Sequence, residues 1–153
     1  MPLEIERKFL VVSDDYKLSA KAVAIKQAYL SVDEKIAIRV RIEGMQASIN
    51  IKSKKSERVN YEFEYVIPMD EAQSLIRMSP YSIIEKTRHM IEYEGKTWEV
   101  DEFHGYNVGL AVAEIELDDE NEVLQLPLWL GEEVTADYRY LNSNLAKKPF
   151  SSW

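Results

Sequence analysis

Apolar residues recur at every second position through most of the chain, the spacing that puts alternate side chains of a strand on one face. In Ile36-Ala37-Ile38-Arg39-Val40-Arg41-Ile42-Glu43, the residues Ile36, Ile38, Val40 and Ile42 share one face, and Arg39, Arg41 and Glu43 share the other. The same reading predicts strands over 3–12, 23–31, 36–43, 47–54, 59–67, 83–93, 97–103 and 110–117. Turns separate them at Asp33-Glu34, Gly44, Gly95 and 105–109, where glycine supplies positive φ without a Cβ clash. Helices are predicted over 69–78, between Pro68 and Pro80, in a short piece near 119–126, and in a turn or two over 141–147. Residues 149–153 read as a loose tail or a small apolar lid. The pattern is mainly β with peripheral helices, an α+β composition dominated by one sheet.

The length of 153 residues and an apolar content of 46% suit one domain over 1–153 with a core that needs no staples. The chain has no cysteine, so neither disulfides nor thiolate-bound zinc contribute, and a reducing compartment, the cytoplasm, is the simplest expectation. The first residues carry two acids, Glu4 and Glu6, instead of the apolar run of a signal peptide. No run reaches the roughly 18 to 20 apolar residues of a membrane-spanning helix, so no membrane partner is expected. A net charge of -8 argues against a nucleic-acid coat.

The charges change the picture most. They come in same-sign pairs at i and i+2, which point the same way on a strand. Acidic pairs are Glu4 and Glu6, Glu62 and Glu64, Glu99 and Asp101, and Glu114 and Glu116; basic pairs are Arg39 and Arg41, Lys52 and Lys54, and Lys86 and Arg88. Lys8 extends the first line. Like charges at about 6 to 7 Å repel by about 2.5 kcal/mol at an effective dielectric of about 20. Turned into a closed barrel, the carboxylates would collect a hard divalent cation and the basic groups a polyanion. A solvated charged face would give the same spacing, and spacing alone does not choose between them. Glu114 and Glu116 in the apolar stretch Val112-Ala113-Glu114-Ile115-Glu116-Leu117, and Arg39 and Arg41 in an Ile/Val strand, favour partnered or functional groups.

Glu4-Ile5-Glu6-Arg7-Lys8 carries the E-x-E-x-K signature and resembles the opening strand of the CYTH superfamily, the triphosphate tunnel metalloenzymes. The likeness continues in order through Gln27-Ala28-Tyr29-Leu30, Arg39-Val40-Arg41, Lys52, Glu62-Phe63-Glu64, Lys86-Thr87-Arg88, Glu114-Ile115-Glu116, and the closing Glu133-Val134-Thr135 with Tyr138-Arg139-Tyr140. This resemblance implies a closed eight-stranded antiparallel β-barrel with two or three peripheral helices, and Mg²⁺- or Mn²⁺-dependent hydrolysis of a small-molecule triphosphate. It implies metal ligation by Glu4, Glu6, Glu62, Glu64, Glu114 and Glu116. Phosphates would be gripped by Lys8, Arg39, Arg41, Lys52, Lys86, Arg88 and Arg139, with Lys8 and Tyr29 as a catalytic dyad. Ala28 stands where relatives have glycine, and Leu141 where they often have lysine. Cyclisation of ATP by a class IV-type adenylyl cyclase, and a non-catalytic polyphosphate-binding module, are the alternatives; a homodimer is among the assemblies left open.

Other signals are weaker. Gly95-Lys96-Thr97 resembles the end of a phosphate-binding loop, but Met90 stands where that loop needs glycine. His89 and His104 lack a metal-binding setting. Tyr61, Phe63 and Tyr65 are expected to pack across strands beneath a helix.

Overall fold

The computed structural model describes residues 2–18 and 20–153; Met1 and Ser19 lie outside the described residues. Strands β1 (Leu3–Val11), β2 (Lys21–Val32), β3 (Ile36–Glu43), β4 (Gln46–Lys54) and β5 (Val59–Ile67) precede helix α1 (Met69–Arg77). Strands β6 (Ile84–Tyr93), β7 (Lys96–Phe103), β8 (Ala111–Glu116) and β9 (Leu130–Glu133) follow, then helix α2 (Asn142–Lys147). The sheet runs β5-β4-β3-β2-β6-β7-β8-β1, and β1 returns to β5, so eight antiparallel strands close into a barrel. The seam is short: Leu3 faces Tyr61, Glu4 faces Asn60 and Ile5 faces Val59. Beyond it the free edge of β1 is covered by β9, with Phe9 opposite Glu133 and Val11 opposite Leu130. Closure in this way leaves little unpaired edge. Gly131 permits that cover, because a Cβ there would lie 2.8 Å from Val12 Cγ1 and 3.2 Å from the Leu10 carbonyl oxygen.

The pleat sorts the sequence into two faces. Outside β2, β3 and β4 lies an apolar sheet surface on which α1 docks, with Ala28, Val40, Ala47, Ala72 and Ile76 buried together. Three alanines at this contact let the helix backbone approach the sheet closely. A second cluster joins Phe9, Ile91, Trp98, Val100, Ala113 and Ile115 to Tyr16 and Trp129 from the loops. A third, with Tyr29, Ile84, Phe103, Leu110 and Val112, meets Leu145 and Ala146 of α2. The strand faces opposite the first two clusters carry the charges.

Two expectations are corrected, and of the two forms expected for the tail the loose one is not found. Residues 119–126 form no helix, because side chains take the amides a helix would use: Asp119 Oδ1 accepts from Asn121 N at 2.8 Å, and Glu122 Oε1 from Asp118 N at 2.8 Å. Tyr61, Phe63 and Tyr65 do not lie beneath α1, which packs on β2, β3 and β4, and Tyr65 is exposed. The tail is packed: Trp153 meets Tyr140 and Phe150 edge to face, and the Phe150 N–H donates to Asn107 Oδ1 at 2.8 Å. Among the described residues, no helix is long and apolar enough to cross a membrane.

Candidate active site

Strand register fixes which side chains meet. Across β1 and β8, Glu6 pairs with Glu116 and Lys8 with Glu114. Across β4 and β5, Lys52 pairs with Glu62 and Asn50 with Glu64. Tyr29 and Gln27 of β2 pair with Arg39 and Arg41 of β3, and Arg88 of β6 pairs with Asp101 of β7. All of these lie on the inward face, and apart from Gln27, Glu64 and Asp101 they line a cavity of ≈ 340 Å³.

The cavity has two walls of opposite sign. Adjacent strands β8, β1 and β5 contribute Glu114, Glu116, Glu4, Glu6 and Glu62; β3 and β6 contribute Arg39, Arg41, Lys86 and Arg88 on the far side. The acidic wall is crowded. Burial, aided by Glu62, raises the pKa of Glu4. Burial and then Glu4 and Glu6 do the same for Glu116. Lys52 reaches this wall from β4, its Nζ 2.8 Å from Glu4, 3.5 Å from Glu62 and 3.8 Å from Glu6. Burial works against its charge, but Glu6 and Glu4 outweigh burial and hold its pKa above the ordinary lysine value. Lys8 Nζ lies 3.7 Å from Glu114.

The basic wall is organised by one buried carboxylate. Asp101, 1% exposed, accepts from Lys86 Nζ at 2.7 Å, Arg88 Nε at 2.8 Å and Arg88 Nη2 at 3.0 Å. Although burial opposes its ionisation, these two cations keep Asp101 charged, with a pKa far below the usual carboxylate range. Burial pushes Lys86 down to about 7, with Arg88 and Arg41 acting in the same direction, whereas Arg88, which also meets Glu99 at 2.7 Å, is held despite its burial above the ordinary arginine range by Asp101 and Glu99. Among the described residues, Arg41 has only a neutral side-chain partner, Gln27 Oε1 at 2.9 Å. Burial, Arg39 and Arg88 lower its pKa to about 10. Asn142 ties α2 to this wall, its Oδ1 accepting from Lys86 Nζ and from Gln27 Nε2, each at 2.9 Å.

Of the expected site residues, all but Glu64 and Arg139 line the cavity. Glu64 is exposed on the same strand face and accepts from Asn50 Nδ2 at 2.7 Å. Arg139 is exposed, paired with Asp137 at 2.7 Å and stacked over Tyr140 and Trp153. Tyr29 stands beside Arg39. A register shift between Tyr29 and Ser31 frees the Tyr29 carbonyl, which accepts from Ser79 Oγ at 2.6 Å; such a bulge re-aims side chains. Among the described residues, no hydrogen bond joins Tyr29 to Lys8. Thr135 Oγ1 accepts from the Lys8 N–H at 3.0 Å and holds that part of β1 in place. The charge pairs gave no signal for Gln27, Asn50, Asn60 or Asn142, which are neutral, or for the anchoring part of Asp101.

Among the described residues, two buried side-chain polar atoms have no hydrogen-bond partner: Arg39 Nε, a donor, and Glu62 Oε2, an acceptor. Unsatisfied groups of this kind are rare and ask for a ligand. The first suits a phosphate oxygen and the second a cation. The groups of the acidic wall able to ligate a metal are carboxylate oxygens, which suits a hard ion such as Mg²⁺ or Mn²⁺. No three carboxylates among the described residues already converge on one point. Mg²⁺ tolerates that, because it is commonly held by one or two carboxylates with water and phosphate oxygens completing the shell.

Known proteins resemble this chain in sequence and fold. The chain is 45% identical over 154 residues to an inorganic triphosphatase of Acetivibrio thermocellus, covering 100% of this chain and 99% of that one. It is 34% identical over 148 residues to an inorganic triphosphatase of Nitrosomonas europaea, covering 94% and 96%. A crystal structure of an inorganic triphosphatase superposes with a TM-score of 0.69 at 34% identity, over 95% of each chain. The CYTH domain family model matches residues 2–149. With the closed barrel and its charged interior, that match means the chain belongs to the CYTH domain family.

Proposed function

We propose that the protein hydrolyses inorganic triphosphate to pyrophosphate and orthophosphate inside the barrel, using Mg²⁺ or Mn²⁺. The observation that carries this is the pair of facing walls, with an orphaned donor on Arg39 and an orphaned acceptor on Glu62. A polyanion held with a cation neutralises both walls at once, which neither ligand does alone. The names of the relatives support the same substrate.

Glu4, Glu6, Glu62, Glu114 and Glu116 would hold the metal, with Glu64 contributing through Asn50. Bound there, the metal supplies charge neutralisation at phosphoryl oxygens and a water of lowered pKa. Arg39, Arg41, Lys86 and Arg88 bind the phosphate chain and keep it extended along the basic wall. Their charges stabilise what develops on the leaving pyrophosphate as water oxygen bonds to the terminal phosphorus and the bridging P–O bond breaks. Lys8 and Tyr29 orient the reacting phosphoryl group from either side of the cavity. The exposed Arg139 would act on arriving substrate. The chain is read as a single domain working in the cytoplasm.

The test is a substrate panel with Mg²⁺ or Mn²⁺. Phosphate release from tripolyphosphate should far exceed release from ATP, and Glu116→Ala should reduce it to background. Cyclic AMP and pyrophosphate from ATP would point to the cyclase reaction. Binding of both compounds with cleavage of neither would end the enzyme reading.

A further inference from the structure

Lys52 holds an unusual position. Among the described residues, its ammonium is the only basic group within 4 Å of three carboxylates of the acidic wall, with Glu4 and Glu6 on one side of the barrel seam and Glu62 on the other. Only the contact with Glu4 is tight, at 2.8 Å; those with Glu62 and Glu6 are loose, at 3.5 and 3.8 Å. Glu62 Oε2 still lacks a hydrogen bond. One monovalent group therefore serves three nearby carboxylates, and it satisfies them incompletely.

We propose that Lys52 is a resident counter-ion. In the metal-free protein it keeps the acidic trio together across the short seam, and an entering divalent cation displaces it toward the phosphate chain. This rests on the triphosphatase reading above. A lysine suits the exchange: its flexible stem moves without breaking a fixed fork of hydrogen bonds, as arginine would have to. A divalent ion offers more charge and more coordination directions than one ammonium, so exchange also relieves the orphaned Glu62 oxygen. The released ammonium then adds one positive charge for substrate only when the metal is in place. Metal affinity in the wild type is accordingly net of a competitor carried by the protein itself.

Titration of the metal-free protein with Mn²⁺, followed by electron paramagnetic resonance or calorimetry, tests this without turnover. Lys52→Met should bind Mn²⁺ more tightly than wild type, by about 5-fold or more if the coupling has the usual size. Lys54→Met is the control for general charge. Lys54 also lines the cavity, but its Nζ donates to the Glu57 carbonyl at 2.9 Å and it forms no ion pair with the trio. It should leave Mn²⁺ affinity as in wild type. Metal-free Lys52→Met should also melt lower than wild type and regain more of its midpoint on adding Mn²⁺. If Lys52→Met does not fold, Lys52→Gln, which keeps a donor for Glu4 without the charge, carries the same comparison. Unchanged or weaker Mn²⁺ binding by the Lys52 variant overturns the proposal, and so does equal tightening by Lys54→Met. In either case a wild type that binds Mn²⁺ and cleaves tripolyphosphate leaves the enzyme reading intact. A wild type that does neither removes both.

Discussion

Replacing Asp101 by asparagine should destabilise the protein more than any other single change of one atom in the cavity. The carboxylate holds Lys86 and Arg88 through three hydrogen bonds of 2.7, 2.8 and 3.0 Å while only 1% exposed. Removing one partner of a buried ion pair costs about 3–5 kcal/mol, because the remaining charge stays desolvated. Asparagine retains one acceptor oxygen, which places Asp101→Asn near the lower end, about 3 kcal/mol. For a chain of this length each kcal/mol shifts the midpoint by about 2–4 °C, so the expected loss is about 6–12 °C. With total stabilities of about 5–15 kcal/mol the variant still folds. Sign and pH range follow from the depressed pKa. The unfolded carboxyl titrates near 3.8 and the folded one far lower, so the wild-type advantage is complete above pH 3.8 and fades as pH falls below it. Calorimetric melts at several pH values measure both. Tripolyphosphate without metal should raise the midpoint more in the variant than in wild type, since it pairs the stranded cations. A midpoint within about 2 °C of wild type at neutral pH, no more than about 1 kcal/mol for a chain of this length, would refute the assignment of Asp101 as the anchor.

Two further outcomes are expected. Ile76→Ala on α1, which removes a side chain 4% exposed between helix and sheet, should cost about 2–5 kcal/mol in urea unfolding while leaving KM at low temperature unchanged, because the helix lies outside the barrel. Since burial and neighbouring carboxylates raise Glu4 and Glu116, each keeps its proton at a pH where an ordinary glutamate has lost it. Metal binding should then release protons, and Mg²⁺ affinity should fall with falling pH from a point above 4.5. Calorimetry in buffers of different ionisation enthalpy reads this directly; the absence of proton release in mild acid would contradict it.

The eight barrel strands were legible because alternation was regular along most of each: charged or polar groups mainly on the lumen face, apolar groups mainly on the coat face. Ends moved by one or two residues, as at β2, which begins at Lys21 where the pattern suggested residue 23. Strand β9 escaped notice since it is four residues long and contains Gly131, held by its fit against β1 and not by any periodicity of its own. The short helix over 119–126 failed for the opposite reason. Its acidic side chains bind local amides, a competition that helical spacing does not reveal. Paired charges marked the lumen face correctly, yet gave no hint that Asp101 would anchor two cations, because cross-strand register decides that. Neutral groups such as Asn142 and Gln27 gave no charge signal at all. Arg139 fits a sequence motif in order, but its three-residue turn delivers it to Asp137 and the aromatic rings of Tyr140 and Trp153.

The apolar surfaces that bind α1 and the loop aromatics lie on the outer side of strands whose inner side is charged. In most small barrels the oily filling sits in the middle; here much of it forms a jacket. Cohesion and chemistry therefore occupy alternating positions along the same strands. Apart from anchors such as Asp101, the inner set can be exchanged with little loss of the outer packing. A barrel wrapped in this way can change its guest without being rebuilt.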